Sequence, residues 1–73
     1  MAYSLPQSAR VRLGVYDLNG RELNVLVDGE STAGRHVVTW DGRDRGAKAP
    51  TGVYFFRFET PDGIRMQRVA LVR

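Results

Sequence analysis

The chain has no cysteine, one histidine and one tryptophan in 73 residues, and each shortage removes a class of chemistry. Without cysteine there is no disulfide staple, no thiolate zinc site and no thiol nucleophile. That absence leaves the compartment open, because an exported bacterial module folds without disulfides as readily as a cytosolic one. The single imidazole, His36, stands beside Val37 in an alternating run, which marks a packed or surface residue rather than a general base. Ser4, Ser8 and Ser31 have no base beside them in sequence. No stretch approaches the ~18 consecutive apolar residues of a membrane span, and residues 1–6 lack the basic and apolar regions of a signal peptide. No basic block of five or more occurs. The 11 Lys and Arg are interspersed with 8 Asp and Glu for a net charge of +3, so nucleic acid is not an expected partner. Asp41 and Asp44 offer too few oxygens for calcium. Asp41 is better placed to cap the turn after Trp40, and Asp44 to pair with Arg43 or Arg45. Gly42, Gly46 and Gly52 precede no helix whose amides could cradle a phosphate. The reading is therefore of no catalytic residue, no cofactor and no metal.

What is present is a set of short alternating runs cut by turn residues. Such a length makes one domain with a small core and a stability of roughly 3–5 kcal/mol. Residues 3–6 form an extended edge piece ended by Pro6. Arg10 to Tyr16 alternates, with Val11, Leu13 and Val15 on one face and Arg10, Arg12 and Gly14 on the other. Asn19-Gly20 makes a tight turn into Leu23 to Val27, and Asp28-Gly29 with Ala33-Gly34 brackets a crossing to a second sheet. His36 to Trp40 alternates again, with Trp40 as the leading core anchor. Asp41 to Pro50 is polar and Gly-rich, hence a surface loop. Val53 to Glu59 carries bulk on both faces, Tyr54, Phe56 and Phe58 opposing Val53, Phe55 and Arg57. After the Pro61-Asp62-Gly63 turn, Ile64 to Val72 changes apolar parity, from Ile64 and Met66 to Val69 and Leu71, which predicts a bulge near Gln67 or Arg68. The sum is an all-β, antiparallel, immunoglobulin-like sandwich of six or seven strands. Its expected core is Val11, Leu13, Val15, Val38, Trp40, Tyr54, Phe56 and Leu71, with turns set by Asn19, Gly20, Gly42, Gly52 and Gly63.

Several segments carry a family resemblance: the opening Y-S-L-P, V-R-L-G-V-Y-D-L-N-G-R-E-L, L-V-D-G-E, A-G-R-H-V-V-T-W-D-G-R-D, T-G-V-Y-F-F-R-F and the terminal R-V-A-L-V-R. In this order they span nearly the whole chain. The chain resembles the immunoglobulin-like domain of the flagellar hook-capping protein (FlgD type) and the similar C-terminal sorting modules of proteins exported by type IX secretion. The resemblance implies a single domain over residues 1–73, carried at the C-terminus of a longer exported bacterial protein. It implies a non-catalytic accessory role in sorting, anchoring or display outside the cell or at its surface. A self-assembling structural subunit, hook-cap-like or filamentous, is the alternative.

The implied partners are proteins: domains of the parent polypeptide and secretion or cell-surface machinery, with self-association as a further route and no membrane insertion. The C-terminal strand, with Arg68, Val69, Leu71 and Arg73, has the basic-apolar-basic ending of the sorting modules. Phe55 is the candidate aromatic contact, either exposed to a partner or covered by the segment from Asp41 to Pro50. Carbohydrate binding would need Tyr16 or Phe55 on an open face.

Overall fold

A computed structural model describes residues 1–73 and consists of strands and turns alone. The strands are β1 (Ala2–Leu5), β2 (Ala9–Tyr16), β3 (Glu22–Ser31), β4 (Gly34–Val37), β5 (Arg43–Asp44), β6 (Ala47–Lys48), β7 (Gly52–Thr60) and β8 (Gly63–Leu71). The all-β sandwich is as expected, although the strands number eight because a short hairpin, β5–β6, forms inside the segment read as loop. The main layer is a four-stranded antiparallel sheet in the order β3-β2-β7-β8; the second layer is the β1–β4 pair.

Alternation explains the main sheet. Val11, Leu13 and Val15 of β2 are 0–1% exposed, and Leu13 and Val15 lie opposite Phe58 and Phe56 of β7. Burying each of these side chains contributes about 1.5–3 kcal/mol. The β2–β3 turn is organised by Asp17, whose carboxylate accepts the backbone N–H groups of Asn19 and Arg21, both at 2.9 Å. Gly20 there takes a φ of 85°, which only glycine adopts without strain.

The second layer closes the core through aromatic contact. The Tyr3 ring stacks on His36 at 5.0 Å and meets Phe58 at 4.4 Å. Its hydroxyl lies 3.2 Å from Ser31 Oγ, so its one polar atom is satisfied in the interior. Tyr3, Leu5, Leu23, Ala49 and Phe58 complete a core that the alternating runs had only partly outlined.

Three expectations are corrected. Trp40 is a half-buried rim residue rather than the leading anchor, as are Val38 and Leu71. β4 ends at Val37, and the indole beyond it packs edge-on to Tyr54 at 5.1 Å while its N–H reaches Arg43 O at 3.0 Å. The bulge foreseen near Gln67 or Arg68 is absent: β7 and β8 pair without interruption from Gly52↔Leu71 to Thr60↔Gly63. The parity change arises because Ile64 and Met66 point outward, 58% and 54% exposed, while Val69 and Leu71 point inward. The irregularities sit instead between β2 and β3, at Leu13/Gly14 and Val15/Tyr16. Finally, β3 runs on to Ser31, with Gly29 inside the strand opposite Val11 rather than at the start of a connection.

Candidate functional site

The outer face of the four-stranded sheet is assembled from rows of directly opposed residues. One row is Glu22, Tyr16, Phe55 and Arg68; the next is Val25, Gly14, Arg57 and Met66; the third is Asp28, Arg12, Glu59 and Ile64. Cross-strand neighbours of this kind touch, so the face has two halves of different character.

The half toward β3 is an ion-pair lattice centred on Arg12. Its guanidinium lies 2.8 Å from Glu22, donates to Tyr16 Oη at 3.3 Å and lies 3.8 Å from Glu59. The Tyr16 hydroxyl donates to Glu22 Oε2 at 2.7 Å. Arg57 lies 3.3 Å from Glu59 and 6.0 Å above the Tyr16 ring, a cation–π distance. Gly14 makes room for this arrangement, since a Cβ there would fall 3.0 Å from Tyr16 Cε1. The Tyr16 hydroxyl first and Arg12 second hold the Glu22 carboxyl below its ordinary range, and the same contact with Glu22 pushes Arg12 up. Asp17 is also held low, chiefly by the backbone N–H of Arg21.

The half toward β8 is apolar and open. Phe55 is half-buried beside exposed Met66 and Leu18, and these residues with Tyr16 and Arg57 line a shallow depression of about 340 Å³. The turn from Asp17 to Gly20 flanks this depression, rather than the segment from Asp41 to Pro50.

The residues singled out in sequence are divided by this geometry. Phe55 and Arg68 are brought together in one outer row. Val69 and Leu71 turn inward and pack, half-buried, against the core. Arg73 folds back: its Nε donates to Ala49 O at 2.6 Å, its Nη2 to Gly42 O, and its backbone N–H to Thr51 Oγ1 at 3.2 Å. It thereby clamps the β5–β6 hairpin to the end of the chain. His36 Nε2 lies 2.8 Å from Thr32 O with its ring stacked on Tyr3. Asp41 accepts the Arg43 N–H at 3.1 Å, the turn-capping role foreseen, whereas Asp44 pairs with Arg21 at 2.5 Å rather than with its neighbours Arg43 or Arg45.

Arg12, Glu22 and Glu59 were missed as a set because they come from three strands. Only the register brings them together, although polar residues on the wet face of β2 and β7 were a partial signal. Against known proteins, a family model described as the FlgD Ig-like domain matches residues 1–63. No curated protein and no solved structure matches the chain.

Proposed function

Because the chain belongs to the FlgD Ig-like domain family, we propose that it is a non-catalytic structural module that works through protein contacts, as the C-terminal sorting, anchoring or display unit of an exported bacterial protein at the cell surface. The observation that carries this reading is the outer sheet face. There an ordered lattice of Arg12, Glu22 and Glu59 borders an open apolar strip of Phe55, Met66 and Leu18. An exposed apolar patch rimmed by fixed charges suits protein docking. The test is made in the full-length parent protein. Phe55→Ser with Arg68→Glu is expected to leave the protein folded and produced but to reduce its retention at the cell surface, measured by fractionation and protease accessibility. Unchanged export and retention would refute the reading.

A second reading, a self-assembling subunit of a hook-cap or filament type, is favoured by one feature: the main sheet ends at β8, a nine-residue strand paired on one side only. Sedimentation across a concentration series separates the two. A monomer throughout supports the accessory role, and a defined oligomer or fibre supports assembly.

A further inference from the structure

We propose that the free edge of β8 accepts an extended acidic segment of a partner polypeptide as a fifth strand of the main sheet. The inference rests on the reading of the domain as a protein-binding module and names the chemistry of the partner. Residues 64–73, which include all of β8 after Gly63, lie outside the family match.

The first observation is an edge guarded by charge alone. β8 pairs with β7 on one side over nine residues in unbroken register, and no neighbour pairs with its other side. It contains no proline and no bulge; of the devices that blunt an edge it has charge alone, the inward-facing Arg65 and the outer Arg68. The opposite edge, β3, has two register irregularities and an internal Gly29, which twist it away from further pairing. One edge of the sheet is thus guarded by its backbone and the other only by cations, which an acidic segment would neutralise.

The second observation is charge. From Gly63 to Arg73 there are three arginines and no Asp or Glu. Arg65 and Arg68 are exposed and take part in none of the chain's ion pairs. They lie on opposite faces of the strand, because Arg68 opposes outward Phe55 while Arg65 opposes inward Phe58. An incoming strand therefore meets one unpaired cation on each face. Beside the outer cation stand Ile64 and Met66, and beyond the inner one stands Val69. Main-chain hydrogen bonds would supply the pairing, and a segment with two acidic residues three positions apart among apolar ones would complement both faces, because an odd spacing sets the two acids on opposite sides of a strand. A second copy of β8 is disfavoured, since it brings the same arginines and no Asp or Glu to neutralise them.

The test titrates the isotopically labelled chain with blocked synthetic peptides of about nine residues, the length of β8, followed by amide NMR. One peptide, Glu-Val, has two Glu three positions apart among valines; one, Lys-Val, has Lys in their place; and one is the Glu-Val peptide with a central proline. The expected result is saturable shifts confined to Gly63–Leu71 with the Glu-Val peptide, weakened at least about tenfold by the Lys-Val or proline change and strongly by about 0.5 M salt. Arg65→Glu with Arg68→Glu should invert the preference toward the Lys-Val peptide. If that variant loses its dispersed spectrum, Arg65→Gln with Arg68→Gln should abolish the preference without inverting it. Absence of saturable shifts at millimolar peptide, equal binding of acidic and basic peptides, or shifts centred on β3 would overturn the proposal. So would peptide-free self-association broadening the β8 amides, which would make a second copy the occupant. Surface retention of the parent can fail its own test while the peptide still binds, and the reverse, so the two readings stand or fall separately.

Discussion

Glu22 holds the outer face in place, and its titration gives that role a sign. Its carboxyl lies below the ordinary range because Tyr16 and Arg12 bond the ionised form, and Asp17 lies low through the Arg21 and Asn19 amides. A carboxyl with a lower folded than unfolded value binds fewer protons when native. Its contribution is therefore complete above the unfolded value of about 4.3 and is lost as pH falls below it through the folded value. The melting temperature should accordingly be flat near neutrality and drop on acidification. Glu22→Gln should melt lower at neutral pH and show a shallower acid decline than the parent; parallel acid limbs in the two proteins would deny Glu22 this role. The core gives a second residue-level outcome. Leu13 is 0% exposed, and truncation to Ala costs about 2–5 kcal/mol in a chain whose whole stability is roughly 3–5 kcal/mol. Leu13→Ala should be largely unfolded by near-ultraviolet circular dichroism at room temperature. Leu13→Met, nearly equal in volume, should stay folded.

At the level of elements, the β5–β6 hairpin shows what local sequence conveys. Its two-residue loop places Arg45 at φ 53° and Gly46 at φ 93°, the positive pair that a tight hairpin requires. Asn19-Gly20 advertised its turn by residue type, although of the positive pair expected there only Gly20 takes a positive φ. Arg45-Gly46 advertises nothing, because arginine adopts it only at a cost of about 1–2 kcal/mol. Arg45→Asn should relieve part of that strain and raise the melting temperature by several degrees, about 4–8 °C per kcal/mol for a domain of this size; an unchanged or lower melting point would argue against strain there. The β2 and β7 strands and their inward faces were legible because alternation is local. The roles of Trp40 and Arg73 were not, since the first depends on where β4 stops and the second on a contact reaching back 24 to 31 residues. Gly42 belongs to that contact: at φ 75°, a Cβ there would lie 3.0 Å from Arg73 Nη2 and 3.1 Å from Leu71 Cδ1. Arg73→Ala should therefore speed hydrogen exchange at the Ala49 amide, which bonds Gly42 O at 2.9 Å, while amides of β2 keep their protection.

On the scale of the whole molecule, one core lies between unequal layers, and this decides how the domain opens. The β1–β4 layer pairs only four residues on each strand, too little to persist by itself. The four-stranded sheet in turn depends on that layer to cover Leu13 and Phe58, because Tyr3 is the ring seated on Phe58. Lifting the thin layer bares the inner face of the thick one, so neither has an independent core to fall back on. Opening should be a single cooperative event, with the hydrogen-bonded amides of β4 and β2 showing exchange free energies within about 1 kcal/mol of each other. Tyr3→Ala, a loss of about 3–5 kcal/mol in a chain of roughly 3–5 kcal/mol, should remove protection from both together. Should β4 exchange through a much smaller opening while β2 keeps its full protection in Tyr3→Ala, the main sheet would have a source of stability beyond the core shared with β1 and β4.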